Sequence, residues 1–306
     1  MGEKNQGKAY LFAILAVLFW STVPTAFKIG LQHQDSYQLL TGASITSAAV
    51  LLLIILLQGK LKLLRGLRWP DLGFSILMGL MNPVVYYLIL FKAYSILPAQ
   101  VAQPLNMVWP IVLVIISIPM LRQKIGWISI GAMVLSFAGV ILISLQGGTG
   151  GADPQNRLGI FLALSTSVIW AFYWVFNMKE RRDPVIRLFL NFLFAAGFLL
   201  AGGLLRQPVL PASTEAWLTA IYVGIFEMGV TFVLWLLALQ HASTTDRISN
   251  LVYMAPFLNL FIVNRVLDEK IFLTTLFGII LLVSGILVQN TLGRHARKNR
   301  QNYPGH

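Results

Sequence analysis

Ten long apolar segments dominate the sequence and constrain what the chain can fold into. A bilayer core is about 30 Å thick, so a helix that crosses it needs roughly 20 apolar residues. Backbone groups inside lipid must be hydrogen-bonded within their own segment, and we therefore expect each apolar segment to be a helix. The sequence predicts an all-α integral membrane protein with ten transmembrane helices. These spans, numbered 1 to 10, are residues 9–29, 36–58, 71–92, 98–119, 125–145, 158–178, 186–206, 216–239, 246–265 and 272–292.

The charged residues are few and unevenly placed. They make up 11% of the 306 residues, against about 25% in a typical soluble domain, which excludes a soluble enzyme or a DNA-binding module. With the N-terminus inside, 17 of the 23 Lys and Arg residues lie on the inner side. The positive-inside rule then predicts cytoplasmic termini in a cytoplasmic (inner) membrane. We interpret the net charge of +12 as a topology signal that also attracts anionic lipids, and we expect no nucleic-acid partner.

The two halves of the chain resemble each other across a Gly-rich stretch, residues 146–157, which we interpret as a flexible linker. At an offset of 146 residues, Pro110 pairs with Pro256 and Gly139 with Gly285. Because each half holds five spans, an odd number, the second repeat must be inverted relative to the first, as in many secondary transporters. The predicted organisation is a first repeat at 1–145, the linker, a second repeat at 158–292 and a basic cytoplasmic tail at 293–306.

Several short motifs occur in a characteristic order along the chain. They are Trp20-Ser-Thr-Val-Pro-Thr-Ala-Phe-Lys28 in span 1, Tyr86, Ala93-Tyr94 and Pro98-Ala99 leading into span 4, Pro110 within span 4, and Gly139-Val-Ile-Leu-Ile at the close of span 5. In this order and spacing the sequence resembles the drug/metabolite transporter superfamily, and specifically its EamA-type ten-helix exporters. The resemblance implies a central cavity lined largely by spans 1, 3, 4, 6, 8 and 9, and export as the direction of transport.

Two positions depart from the pattern of that superfamily. Arg122-Gln123 replaces the acidic residue often found before span 5, whereas Asp268-Glu269 keeps it before span 10. Asn82-Pro83 stands in span 3, where small residues are expected. These departures concern the subfamily and the substrate, and they leave the superfamily resemblance intact.

Glu227 is the acidic residue that lies deepest in a predicted span, about eleven residues from either end of span 8. A carboxylate at bilayer depth costs at least ~2.5 kcal/mol unless it is paired, solvated or protonated, so this position favours a substrate pathway or a proton relay. The alternative is a protonated Glu that makes one interhelical hydrogen bond. Thr231 and Trp235 follow at four-residue spacing and share its helical stripe.

The offset between the halves places Glu227 opposite Asn82 or its neighbour in span 3. Asn82 and Tyr86 are four residues apart, and Pro83 loosens the helix between them. Helices broken near the midplane in both repeats are the feature expected at a transporter site. Helix packing alone also explains Pro83, since prolines are frequent in membrane helices.

The other candidate residues are aromatic, amide, proline and lysine side chains in the spans expected to line the cavity. They are Trp20, Pro24 and Lys28 in span 1, Gln103, Asn106, Trp109 and Pro110 in span 4, Trp170, Tyr173, Trp174 and Asn177 in span 6, and Asn250, Tyr253 and Pro256 in span 9. Aromatic faces in a cavity suit a planar or cationic ligand, and the prolines and Lys28 are candidates for gating. Alternatively, Trp and Tyr anchor the membrane interface, the amides hold helices together, and Lys28 snorkels.

Catalytic constellations are absent from the predicted spans, because the four histidines lie in loops or the tail and the chain has no cysteine. We therefore expect no enzyme activity, no metal and no cofactor. The sequence predicts a secondary active transporter that exports small amphiphilic metabolites, such as amino acids, amines or drug-like cations, by alternating access. Its partners are the small-molecule substrate, protons in a coupled or exchange mode, and the lipid bilayer, and it is a monomer or a homodimer. The alternatives are an integral-membrane enzyme, a non-transporting sensor or scaffold, and a channel.

Overall fold

The structure, a computed structural model, describes residues 5–109, 111–112, 115–116, 127–145, 153–203, 208–241, 251 and 254–302. Over these residues the secondary structure is helical, and no strand occurs among them, so the all-α prediction is confirmed there. The α-helices are α1 (Gln6–His33), α2 (Ser36–Leu57), α3 (Leu61–Arg65), α4 (Trp69–Gly79), α5 (Tyr86–Ile96), α6 (Ala99–Asn106), α7 (Trp127–Ser144), α8 (Pro154–Lys179), α9 (Pro184–Gly202), α10 (Thr214–Val223), α11 (Val230–His241), α12 (Ala255–Leu267) and α13 (Leu273–Asn302).

Five helical segments are long and apolar enough to cross a membrane. They are Gln6–His33, Ser36–Leu57, Trp69–Ile96, Pro184–Gly202 and Thr214–Trp235. Three shorter apolar helical stretches, Gly131–Ile143, Ala255–Leu267 and Leu273–Val288, overlap the predicted spans 5, 9 and 10. Five apolar helices of this length among the described residues are consistent with a multi-pass membrane protein.

Polar side chains in the short turns cap the N-termini of several of these helices. The carboxylate of Asp35 accepts hydrogen bonds from the backbone N–H groups of Tyr37 and Gln38 at 2.8 and 2.9 Å, and the Gln38 side chain accepts from the Asp35 N–H at 3.1 Å. Asp183 caps α9 and Ser213 caps α10 in a similar way. Each cap satisfies N–H groups that the first helical turn leaves without an intrahelical partner.

Two π-helical segments interrupt the long apolar helices near their middles. The first, π1, spans Leu80–Val85 between α4 and α5, and the second, π2, spans Gly224–Gly229 between α10 and α11. Inside π1 the backbone of Asn82 leaves the helical region, with φ −147° and ψ 113°. Such π-segments are rare and occur frequently at functional sites.

Glycines allow the backbones of neighbouring helices to come into direct contact where α7 crosses α13, where α4 crosses α9 and where π2 crosses α2. Between α7 and α13, a Cβ added to Gly139 would lie 2.5 Å from the carbonyl oxygen of Gly278, and one added to Gly285 would lie 2.5 Å from that of Ala132. Where α4 meets α9, a Cβ on Gly79 would lie 2.5 Å from the carbonyl oxygen of Asn191. Gly224, the first residue of π2, has the corresponding contact with α2, at 2.6 Å from the carbonyl oxygen of Ala43.

Candidate functional site

Glu227 lies within π2 and is half-buried in the protein. Its Oε1 accepts a hydrogen bond of 2.8 Å from the hydroxyl of Tyr87, a fully buried residue of α5. In the part of the chain that the structure describes, no Lys or Arg pairs with this carboxylate. The carboxylate therefore accepts a hydrogen bond from a neutral donor in the other half of the chain, and no Lys or Arg side chain among the described residues compensates a charge on it.

Tyr86, the neighbour of Tyr87, belongs to a separate hydrogen-bond chain. Its hydroxyl donates to Asn106 Oδ1 at 3.1 Å, and Asn106 Nδ2 donates to Thr166 Oγ1 at 2.8 Å. This chain ties α5, α6 and α8 together in the buried interior. The structure thus brings together two predicted site residues, Tyr86 and Asn106. The hydrogen bond to Glu227 comes from Tyr87 instead.

A row of aromatic rings from both halves extends from this point. The Trp235 and Trp20 ring centroids are 5.4 Å apart, Trp20 and Phe232 6.2 Å, Phe232 and Trp170 6.0 Å, and Trp170 and Tyr86 4.9 Å. Tyr86 in turn contacts the ring of Tyr87 at 4.7 Å. We call Trp20, Tyr86, Trp170, Phe232 and Trp235 the aromatic wall. It brings together residues of spans 1, 3, 6 and 8, all but Phe232 predicted from the sequence, in one continuous row of ring contacts that leads to Tyr87, the partner of Glu227.

Tyr173 extends the aromatic wall on α8. Its ring stacks on Trp170 with centroids 5.7 Å apart, and its hydroxyl accepts a 3.1 Å hydrogen bond from Asn191 Nδ2 of α9. The predicted aromatic face of span 6 is thus present for Trp170 and Tyr173. The side chains of Trp174 and Asn177 lie outside the described residues, as do Pro110, Asn250 and Tyr253 altogether.

The remaining predicted residues are distributed along the same helices. Thr231 is buried, and its hydroxyl donates to the carbonyl oxygen of Phe226 in its own helix. Gln103 is buried and Trp109 is half-buried. Pro83 follows the non-helical Asn82, which is buried. Two further prolines leave their helices continuous over the described residues, because Pro24 lies within α1 and Pro256 in the first turn of α12.

Lys28 lies at the end of the bundle where α1, α6 and α12 meet. Its Nζ donates to the carbonyl oxygens of Tyr94 and Leu97 at 2.9 and 3.0 Å, so it crosses to the α5–α6 turn and does not snorkel outward. At the same turn the Glu269 carboxylate accepts from the Ala99 N–H at 3.0 Å. We call these residues, Lys28, Tyr94, Leu97, Ala99 and Glu269, the latch. The sequence identified Lys28 as a gating candidate and gave no sign of its partners.

Ion pairs occur at the opposite end of the helices. Lys60 Nζ lies 2.8 Å from Asp183 Oδ2 and joins the turn after α2 to the start of α9. Nearby, Arg182 Nη2 donates to Glu180 at 2.9 Å, and this hydrogen bond holds the pKa of the Glu180 carboxyl below its ordinary value. The described residues contain no group of three or more His, Cys, Asp or Glu side chains that could hold a metal ion.

The chain is similar in sequence to known membrane transporters. The model of the EamA-like transporter family matches the chain twice, over residues 7–145 and 157–291. An uncharacterized transporter of Clostridium kluyveri is 25% identical over 299 residues, which cover 94% of this chain and 95% of the relative.

Two other relatives are named exporters. A "Probable terminal-alkyne amino-acid exporter" of Streptantibioticus cattleyicolor is 26% identical, with 94% of this chain and 95% of the relative covered. The "Aromatic amino acid exporter YddG" of Ancylobacter novellus is 24% identical, with 83% and 87% covered. A solved crystal structure is similar in fold over 95% of this chain and 99% of its own, with a TM-score of 0.67 and 24% identity.

Proposed function

The chain belongs to the EamA-like transporter family, and we propose that this multi-pass membrane transporter exports small amphiphilic amines by alternating access. Amino acids, other organic amines and drug-like cations are the substrate classes. The names of two relatives, both exporters of amino acids, support an ammonium-bearing substrate. The observation that carries the proposal is the Glu227 carboxylate, whose partner Tyr87 contacts the aromatic wall at Tyr86. A carboxylate within a membrane-spanning helix and close to aromatic faces is the chemistry that recognises an organic cation.

The architecture of this proposal is ten transmembrane helices in two inverted five-helix repeats. The contacts between α7 and α13 support it, because they obey the offset of 146 residues. Gly139 contacts Gly278, the equivalent of Ala132, while Ala132 contacts Gly285, the equivalent of Gly139. Ser136 Oγ also donates to the carbonyl oxygen of its own equivalent, Leu282, at 3.2 Å. Reciprocal contacts of this kind are those that a two-fold axis generates.

The two π-segments support the same symmetry. π1 begins at Leu80 and π2 at Gly224, which is 144 residues later and within two residues of the offset. In each half a glycine at the start of the segment, Gly79 or Gly224, contacts a carbonyl of the second helix of the other half. Helices distorted near the midplane of both repeats are expected around a transporter site.

In this mechanism the proton and the substrate compete for the Glu227 carboxylate, and this competition couples proton uptake to substrate efflux. Glu227 accepts either a proton or the ammonium group of the substrate, because either one compensates the buried charge. An exporter of this kind takes up a proton from outside after it releases its substrate there. Rocking of the two halves about the glycine contacts then exposes Glu227 to the other side. Uphill efflux therefore requires a proton gradient.

Efflux from proteoliposomes tests the proposal. The purified protein is reconstituted with labelled phenylalanine, phenethylamine and a quaternary aromatic cation, in parallel with protein-free vesicles. We expect movement of all three substrates above the protein-free level, accelerated by an opposing pH gradient. Exchange of phenethylamine or the quaternary cation for one proton is electroneutral, so dissipating the membrane potential should not change it. Exchange of zwitterionic phenylalanine for one proton moves charge and should respond to the potential. Flux that is identical with and without the pH gradient would contradict the coupling, and no flux for any amine would contradict the substrate class.

The proposed orientation places both termini in the cytoplasm of the inner membrane. The chain contains no cysteine, so single Cys substitutions report topology directly. We expect a thiol reagent that cannot cross the membrane to label Ser213→Cys, in the exposed cap of α10, in intact cells. Arg300→Cys, near the end of α13, is expected to be labelled only after the membrane is permeabilised. The reverse pattern would overturn the orientation.

A further inference from the structure

Among the buried polar side chains whose atoms lack hydrogen-bond partners within the described residues, three lie on helices that pack against one another, α1, α6 and α12. They are Thr25 on α1, Gln103 on α6 and Asn259 on α12, with exposed fractions of 5%, 4% and 0%. The atoms without partners are Thr25 Oγ1, Gln103 Oε1 and both side-chain polar atoms of Asn259. Buried polar groups in proteins are nearly always hydrogen-bonded, so each exception calls for a missing partner.

Hydrogen bonds of the latch join the ends of α1, α6 and α12, so these ends lie at about the same depth in the bundle. Lys28 Nζ of α1 donates to the Leu97 carbonyl oxygen before α6 at 3.0 Å, and Ala99 N–H donates to the Glu269 carboxylate after α12 at 3.0 Å. Asn264 Nδ2 of α12 donates to the Glu269 carbonyl oxygen, also at 3.0 Å. The latch thereby gives each of the three helices a reference point from which depth can be measured.

From these reference points the three side chains lie at nearly the same depth. At 1.5 Å per residue, Thr25 is about 4.5 Å below Lys28, Gln103 about 6 Å below Ala99, and Asn259 about 7.5 Å below Asn264. The three helices also pack against one another, α1 on α12, α12 on α6 and α1 on α6. We call Thr25, Gln103 and Asn259 the polar layer.

The chemistry of the polar layer selects an uncharged ligand group. It offers acceptors at Gln103 Oε1 and Asn259 Oδ1 and donors at Asn259 Nδ2 and the Thr25 hydroxyl, none of which ionises. Lys28, one turn above Thr25, directs two of its three N–H groups to carbonyl oxygens of the α5–α6 turn. A hydroxyl or a carboxamide both donates and accepts, and either group matches this set.

We propose that the polar layer binds a hydroxyl or carboxamide at the far end of an amine substrate whose ammonium group binds Glu227. The proposal rests on the proposed function. Tyr87, the partner of Glu227, lies ten residues below Leu97, or about 15 Å along the helix, so the layer and the carboxylate are about 8 to 10 Å apart along the axis. The latch covers the layer on its outer side, and the unpartnered atoms are those that the substrate satisfies.

A matched pair of amines tests the subsite. Tyramine and phenethylamine share the aromatic ring and the ammonium group, and only tyramine carries a hydroxyl at the far end. We expect the reconstituted wild type to transport tyramine with an apparent KM about tenfold lower, because leaving buried polar groups without partners weakens binding by that order. In Thr25→Val and Asn259→Leu we expect the tyramine KM to rise toward that of phenethylamine, so that the ratio of the two KM values falls from about ten to about one.

Thr22→Val is the matched control on the same helix. The Thr22 hydroxyl is already satisfied by Tyr222 at 2.6 Å and by the Phe19 carbonyl at 2.7 Å, so this variant should keep the preference for tyramine. Equal wild-type KM values for the two amines, or an undiminished preference in Thr25→Val, which is isosteric, would overturn the subsite alone. Failure of the wild type to move either amine would instead overturn the proposed function, and the subsite with it.

Discussion

Glu227→Gln is expected to reduce proton-driven amine efflux about a hundredfold while the protein still folds. The substitution keeps the shape of the side chain and its ability to accept a hydrogen bond from Tyr87, which is 2.8 Å away in the wild type. In the proposed mechanism it removes both the negative charge that binds the ammonium group and the site that takes up the proton. A charge-assisted contact contributes about 1.5–3 kcal/mol, and 1.4 kcal/mol corresponds to a factor of ten. Efflux from proteoliposomes with and without a pH gradient measures the effect.

The control for this substitution is Glu215→Gln. Glu215 is an exposed acidic residue in the first turn of α10, in the same interrupted helix as Glu227, and we expect its neutralisation to leave efflux unchanged. The efflux rate of Tyr87→Phe should lie between those of Glu227→Gln and Glu215→Gln, because this substitution removes one neutral hydrogen-bond donor and leaves the carboxylate charge in place. Gradient-dependent efflux in Glu227→Gln at the wild-type rate would show that the carboxylate neither binds substrate nor couples it to protons.

Much of the fold was predictable because lipid restricts backbone conformation severely. The apolar lengths at 9–29 and 36–58 anticipated α1 and α2, which run from Gln6 to His33 and from Ser36 to Leu57. α1 extends beyond its apolar segment at both ends, and the Asn5 side chain caps its first turn. The non-helical torsion angles at Asn82 likewise agree with the expected effect of the following proline.

Contacts between helices were much less predictable than the helices themselves. The sequence placed Asn82 or its neighbour opposite Glu227 and singled out Tyr86, four residues from Asn82, as a site residue, whereas the adjacent Tyr87 makes the hydrogen bond. Adjacent residues on a helix point about 100° apart, so a choice between them requires knowing how the helix is rotated against its neighbours. The same limit hid the contact of Trp20 with Trp235, since the two lie at distant points of the sequence in different halves.

The π-segments explain a second difference between the pattern and the structure. A regular helix would align Glu227, Thr231 and Trp235 along one stripe. In π2 the wider helical turn changes this register, and the Thr231 hydroxyl donates to the Phe226 carbonyl five residues earlier. Nothing in the residue types of Gly224–Gly229 specifies a π-turn, which arises where this helix packs against α2.

Gly79→Ala is expected to have the second large effect, on stability and on transport together. A Cβ at this position would lie 2.5 Å from the carbonyl oxygen of Asn191, a distance that real Cβ contacts do not reach, so α4 must move away from α9. Overpacking of this kind typically costs about 1–3 kcal/mol. We expect a lower midpoint of thermal unfolding in detergent and roughly tenfold slower efflux, since the movement occurs directly before π1. Gly224→Ala should behave alike, because its Cβ would meet the Ala43 carbonyl oxygen at 2.6 Å.

Gly73→Ala provides a control on the same helix with the opposite expected sign. Nothing lies within 4 Å of a Cβ at Gly73, and Ala is favoured over Gly in a helix interior by roughly 0.5–1 kcal/mol. Its unfolding midpoint should therefore stay level or rise, and efflux should be unchanged. The two substitutions are chemically identical and lie six residues apart in one helix. If the unfolding midpoint and the efflux rate fall only in Gly79→Ala, the loss is therefore due to the contact between Gly79 and Asn191 in the other half. Equal behaviour of the two variants would mean that the Gly79–Asn191 contact neither stabilises the bundle nor serves as a pivot for transport.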